Sequence, residues 1–501
     1  MIFITPIFLT LLLVILLLPL RYSRTASSSH LLTTLTLLTV CTAAVVQMRL
    51  IGEFRISDGI EYAASARSFV EGKGVTIEFH GTRYPSRFAP WFSAIFLSSF
   101  SLLSPDLRLS GLGILLFSLA SIWYTRNLGT LIGGNVGGTT ALLALVVNSG
   151  FLYFTGNIMT EIPVFCLLTI QLCLWLNGPC THSCALLTGV ITALTTGIRP
   201  TAFSTIILHC WKFKDNPQQI LLVLVPSIIL VGGSLVYNQI TFGDFLRSGY
   251  HTWMSIPYDY FHLTFNIRNI TSNLKYIPEI SQILTILTTI TITILLSTRR
   301  THNFIKINRE FVLSSSFLLV SVLPVIAFYL PYFYGTQRFF WPYQQLATVL
   351  IAAYLGLYFQ NKYQSTAAYI TIIVGLVQIR QSLHTPDPLQ SLLASSNAIP
   401  IEKTIVSNIN PLVVQASFPN NTILPLDRSV EYASKCFTPY KINLELDSSI
   451  TPFTHRSEKL LQAGSIDAYP EVWSELPEPK AGDYVFLNLD ESGQKNRSNQ
   501  R

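Results

Sequence analysis

Apolar runs close to the ~20 residues that cross a bilayer begin near Ile2, Leu31, Leu109, Val136, Ile162, Ala185, Thr201, Ile220, Ile277, Phe311, Phe339 and Thr366. The pattern predicts a multi-pass α-helical membrane domain of about twelve spans over residues 1–383, with the runs on either side of Arg199–Pro200 the shortest. After Leu383 the pattern changes. From His384 to Arg501 short apolar stretches alternate with Pro, Asn and Asp, which predicts a small α/β domain outside the membrane over residues 384–501. Its expected strands are Thr404–Val406, Thr422–Leu424 and Tyr484–Leu487, and its expected helices Leu389–Ser396, Pro411–Ala416 and Ser457–Ala463.

One long polar interval separates the second run from the third. Residues 52–107 form this first outer loop, with SDGIEYAASARSFVEGKG at Ser57 to Gly74 and YPSRFAPW at Tyr84 to Trp91. The stretch Phe88 to Leu103 is apolar enough to pass for a span. It is expected as a juxtamembrane or re-entrant helix that does not cross, because a crossing there inverts every later loop.

Composition agrees with the pattern: half of the 501 residues are hydrophobic, mean hydropathy is +0.45, and 12% are charged, about half the share of a soluble domain. The charge is uneven. Up to Leu383 there are 23 basic and 12 acidic side chains, and beyond it 10 and 14. Basic charge in the membrane part fits ordinary loops and snorkelling arginines, or a site for phosphate. Short loops decide orientation, and Arg299 to Arg309 is the strongest cytoplasmic signal. Counting from it puts Arg21, Arg24, Arg126, Lys212, Lys214 and Lys362 on the cytoplasmic side. The Asp58 loop, Glu161, Thr241 to Tyr276, Pro331 to Arg338 and the whole tail then lie outside. The first run lacks a basic flank before it and is followed by Arg21 and Arg24, so it is expected as a retained span with its N-terminus outside.

The seven cysteines are scattered, five of them in or beside apolar runs, which is no disulfide framework. Cys180, His182 and Cys184 lack a second pair and read as loop residues rather than a metal site.

If Asp58 to Val70 is helical, Asp58, Glu61, Ser65 and Ser68 share one face and Tyr62, Ala66 and Phe69 form an apolar stripe beside it. A carboxylate pair in a partly desolvated site suits a general base. Asp58 followed three residues later by Glu61 equally fits a capping box. Glu161 stands at the outer end of a span beside Pro163, as an interfacial side chain or a site residue. Arg199 and Arg338 either snorkel or bind phosphate, and Tyr250 either anchors at headgroups or touches substrate.

Asp58 four residues before Tyr62, then Ala66, the Glu71–Gly74 turn, YPSRFAPWFSA, and a span ending Tyr124-Thr-Arg126-Asn-Leu-Gly129 together resemble the GT-C glycosyltransferases. Those multi-pass enzymes, among them the lipid A aminoarabinose transferases and protein O-mannosyltransferases, use polyprenyl-phosphate sugars. Asn157 to Pro163, Ile198-Arg199-Pro200, Tyr237-Asn238, Phe242-Gly243, Gly249-Tyr250 and Arg338 extend the likeness over most of the chain. The resemblance implies Asp58 as catalytic base. With it come Glu61 as tuner or acceptor contact, Arg87, Arg199 and Arg338 as phosphate ligands, and Glu161, Tyr62 and Tyr250 as substrate contacts. Many members carry an acidic residue where this chain has Gly59, and a Lys-Pro-Pro-type motif where it reads Arg87-Phe-Ala-Pro90.

The implied reaction is inverting transfer from a polyprenyl-phosphate sugar to a hydroxyl of a lipid, glycan or protein acceptor on the extracytoplasmic face. Nothing in the sequence points to nucleic acid or nucleotide-sugar use. No cofactor is required by the sequence, and a divalent cation stays open, since some relatives need one. The rival classes are a transporter or lipid flippase, which commonly shows paired repeats not seen here, and a non-catalytic scaffold.

Overall fold

The computed structural model describes residues 30–48, 57–79, 82–103, 107–251, 258, 261–274, 304–333, 336–356 and 364–384, with three short strands beyond them. The first predicted span, the run from Ile277, Arg21, Arg24, Arg55, Trp253, Lys362, Cys436 and the three expected tail helices fall outside these residues.

Helix α1 is His30–Met48. The first loop then forms α2 (Ser57–Val70), a hairpin of β1 (Thr76–Phe79) and β2 (Thr82–Pro85), and a π-helical stretch, Phe92–Leu97, that continues helically as Ser98–Ser101, together α3. At about 1.5 Å per residue, the ten residues of α3 reach roughly half of a ~30 Å hydrocarbon core. Six consecutive residues of it, Phe92 to Leu97, are buried against the protein.

The bundle continues with α4 (Gly111–Val147), α5 (Ser149–Thr155), α6 (Glu161–Asn177), α7 (His182–Ile198), α8 (Thr205–Lys212), α9 (Pro217–Phe242), α10 (Phe304–Tyr329), α11 (Trp341–Gly356) and α12 (Gln364–His384). Gly111–Val147, Pro217–Phe242 and Phe311–Tyr329 are long and apolar enough to cross a membrane. Of these, α4 reverses at Gly133 and at Gly134, whose φ of 65° suits glycine. Its two arms are the two runs expected from Leu109 and Val136. They pack so closely that a Cβ on Gly129 would strike the Gly137 carbonyl oxygen, and one on Gly356 of α11 would lie 2.5 Å from Gly137 Cα. Small residues are what let membrane helices approach like this.

Side-chain ties fix which helix ends lie together. Arg199 at the end of α7 meets Glu161 at the start of α6, while Lys212 at the end of α8 donates to the Leu174 and Trp175 carbonyls near the end of α6. Helix α9 runs alongside α7 in the same direction, with Gly189 against Val223 and Gly197 against Leu230. The run from Thr201 is therefore a 3-10 turn, Pro200–Ser204, plus eight residues of α8, and this short segment still returns the chain to the opposite end.

The three strands expected in the tail form as β3 (Thr404–Ser407), β4 (Thr422–Pro425) and β5 (Tyr484–Leu487), a parallel sheet in the order β4-β3-β5.

Candidate active site

Asp58 and Glu61 lie one helical turn apart on α2 and are both buried. After α2, Gly72 and Gly74 adopt φ of 81° and 79° and turn the chain into the β1–β2 hairpin. That hairpin returns Ser86 and Arg87 beneath the two carboxylates. Glu61 Oε1 accepts from Ser86 Oγ at 3.0 Å and from the Arg87 backbone N–H at 2.8 Å, and its Oε2 lies 2.9 Å from Arg87 Nε. Arg87 Nη2 donates to Asp58 Oδ1. From the far side, Arg338 in the Gln337–Phe339 turn donates its Nη2 to Asp58 Oδ2. The capping-box reading of this pair is thereby corrected. Glu61 reaches across to the loop rather than back along α2, because guanidinium and backbone N–H donors in a desolvated pocket bind a carboxylate more strongly than a helix end does.

A second ion pair lies beside the first. Pro200 keeps the preceding residue out of the helical region, so Arg199 is extended at φ −142°, ψ 102° and ends α7. Its Nη2 donates to Glu161 Oε1 at 3.2 Å and Thr160 Oγ1 at 3.4 Å, and its Nη1 to the Phe339 carbonyl at 3.0 Å. Arg199 is 6% exposed and Glu161 1%. Among the described residues Glu161 Oε2 and Arg338 Nε have no hydrogen-bond partner.

Aromatic rings line both arginines. Arg87 lies over Phe88 at 4.6 Å and Arg338 over Phe339 at 5.4 Å. Tyr62 stacks on Phe88 at 4.2 Å, and Tyr250 meets Phe88 edge-on at 6.0 Å. The turn bearing Tyr250 passes so close that a Cβ at Gly249 would strike Arg87 Cα. A Cβ at Gly59 would lie 3.1 Å from the Ile158 carbonyl oxygen. An acidic side chain there needs the Ile158 backbone to give by a few tenths of an ångström.

For Arg87 and Arg338, burial opposes the charged form, but the carboxylates outweigh it, Glu61 and Asp58 at Arg87 and Asp58 and Glu161 at Arg338, raising both above the ordinary arginine value. Burial first, then neighbouring phenols and carboxylates, push Tyr62 and Tyr250 well above the usual phenol. Both are neutral hydrogen-bonding groups, not bases.

Both Asp58 oxygens and Glu61 Oε2 face guanidinium groups, while Glu61 Oε1 accepts from Ser86 and the Arg87 backbone N–H. Among the described residues no three His, Cys, Asp or Glu cluster as metal ligands. At Cys180–Cys184, Thr181 caps α7 and His182 pairs with Gln218.

All eight candidate residues thus meet at one end of the bundle. Asp58, Glu61, Arg87 and Arg338 form one ion-paired group, Glu161 and Arg199 an adjoining one, and Tyr62 and Tyr250 the aromatic wall. Sequence reasoning missed Ser86, Thr160 and Tyr329. Tyr329 stacks on Phe339 at 4.0 Å within electrostatic reach of Arg199, Arg338, Glu161 and Asp58. Its only signal was its place at the end of an apolar run, just before Tyr332 and Tyr334.

Two crystal structures of ArnT from Cupriavidus metallidurans share this fold. The form bound to undecaprenyl phosphate matches with a TM-score of 0.53 at 9% identity, and the apo state with 0.50 at 10%. Each alignment covers 80% of this chain and 91% of the other. No protein-family model matches the sequence, and no curated protein does. At such identity the likeness carries the fold alone, the one those ArnT structures have.

Proposed function

We propose, from the shared GT-C fold and the ion-paired cluster, that this chain is an integral-membrane glycosyltransferase of about twelve spans acting on the extracytoplasmic face. It transfers a sugar from a polyprenyl-phosphate donor to an acceptor hydroxyl, with inversion. The observation that carries the reading is Asp58, a buried carboxylate held between Arg87 and Arg338, arginines far apart in sequence.

Such a transfer needs a base for the acceptor and positive charge for the departing phosphate. The acceptor oxygen attacks the anomeric carbon as its proton passes to Asp58. The bond from that carbon to the phosphate oxygen breaks, and its electron pair leaves with the polyprenyl phosphate. No acid is needed, because phosphate is already a good leaving group. Attack opposite the phosphate inverts the centre. Arg87 and Arg338 take the phosphate charge. Arg199, already committed to Glu161 and the Phe339 carbonyl, holds the turn that carries Arg338. The partner supported by the ligand of the first ArnT structure is a polyprenyl-phosphate lipid.

The test is transfer of label from radiolabelled polyprenyl-phosphate sugars to extracted envelope fractions by the purified protein. Asp58→Asn is expected to lower the rate about 10²–10⁴-fold while leaving the protein folded. Full activity in that variant removes Asp58 as base, and no transfer from any donor by the wild type returns the chain to the transporter or scaffold classes.

A further inference from the structure

Granting the transfer proposed above, the groups it needs are bound to one another before any substrate arrives. A general base must turn a lone pair toward the acceptor hydroxyl, yet each Asp58 oxygen accepts from a guanidinium. A phosphate must be met by N–H donors, yet the Nη2 atoms of Arg87 and Arg338 are the ones that hold Asp58. The same donors cannot serve both anions fully. Glu61, by contrast, holds Arg87 from a different side, accepting from its backbone N–H at Oε1 and pairing by charge with the guanidinium at Oε2, so Arg87 keeps its place when its Nη2 changes partner. Arg338 is the looser arm: its side chain is 23% exposed against 14% for Arg87, and it hangs on Asp58 from a short turn.

The charges point the same way. Among the described residues, Asp58, Glu61 and Glu161 face Arg87, Arg338 and Arg199, three carboxylates to three guanidinium groups. A donor phosphodiester brings one negative charge. During transfer the phosphate gains a second as the proton moves to Asp58, so total charge is conserved and the arginines gain the more highly charged partner as Asp58 is neutralised.

We infer that in the resting protein the Asp58 carboxylate occupies the place of the substrate's phosphate on Arg87 and Arg338, and that an isoprenoid phosphate displaces it, freeing the base only when a leaving group is bound. Donor therefore binds productively before acceptor. Its apparent affinity is weakened by the fraction of time the arginines are engaged; arginines free about a tenth of the time weaken it about tenfold.

Binding of farnesyl phosphate to the purified full chain in nanodiscs, measured by calorimetry, tests this. Asp58→Asn is expected to bind about tenfold tighter than the wild type, although it transfers far more slowly. Glu61→Gln, an identical charge change beside the same arginine, is expected to bind no tighter, since it loses the anchor of Arg87. Equal tightening in both variants reduces the effect to long-range charge and overturns the inference, as does unchanged or weaker binding by Asp58→Asn. Should Asp58→Asn not fold, the wild type labelled with carboxyl-¹³C aspartate decides. Farnesyl phosphate is expected to shift one aspartate carboxylate band in the infrared difference spectrum, and an unshifted spectrum overturns the inference. If the wild type and Asp58→Asn both fail to bind, the donor class falls too; binding by the wild type without gain in the variant overturns the inference alone.

Discussion

Arg199 shows what a single charge does inside this bundle. Replacing it with Ala leaves Glu161 buried at 1% exposure without its ion-pair partner, and breaking such a pair typically costs about 3–5 kcal/mol. The expected outcome is a lowered unfolding midpoint in detergent, with Arg199→Lys recovering part of it; a midpoint equal to wild type contradicts the pairing. Ionisable side chains next to apolar runs are rare because they are costly there, which is why Asp58, Glu61 and the arginines stood out in the sequence. Their partners did not. Arg199 and Arg338 look alike in sequence, each beside an apolar run with aromatic or proline neighbours. Only the fold brings Thr160 and the Phe339 carbonyl to Arg199, and Asp58 to Arg338.

At the scale of the element, the tightest constraint is the hairpin in α4. Gly129, Gly137 and Gly356 let three helical segments touch through backbone, so Gly129→Val forces the arms of α4 apart. The variant is expected to yield little folded protein and a midpoint several degrees lower, read by size-exclusion profile and thermal scan. Wild-type behaviour there is incompatible with the close contact. Periodicity revealed two apolar runs here and the run order around them. It placed the second run from Val136 but did not mark the reversal itself at Gly133–Gly134, because several glycines in this stretch fit a turn equally well. The eight residues of α8 were likewise hard to place. An apolar run shows how oily a segment is, whereas the Lys212 bonds to α6 show where it ends.

Across the whole molecule, the paired carboxylates and arginines lie at one end, and Cys180, Lys212 and the α4 reversal at the other. Cys180 is exposed and so reports on that second end. With the site extracytoplasmic, a membrane-impermeant maleimide added to intact cells is expected to modify a Glu71→Cys variant at position 71 and to spare Cys180 until the cells are opened, read by mass spectrometry. The reverse pattern inverts the orientation.

Trp91 gives this arrangement a mechanical side. Its indole N–H donates to Ser234 Oγ at 2.6 Å, its ring lies against Gly233, and Tyr237 donates to the Val75 carbonyl at 3.3 Å. The loop that carries Asp58 and Arg87 is thus fastened to α9, a helix long and apolar enough to cross a membrane whose Leu221, Val225, Ile228, Ile229, Val236 and Ile240 are all exposed. Helix tilt follows the match between hydrophobic length and bilayer thickness, so a change of tilt drags the loop with it. Acyl-chain length becomes an input to turnover without a lipid touching a reacting atom, and the rate in nanodiscs of graded thickness is expected to pass through an optimum.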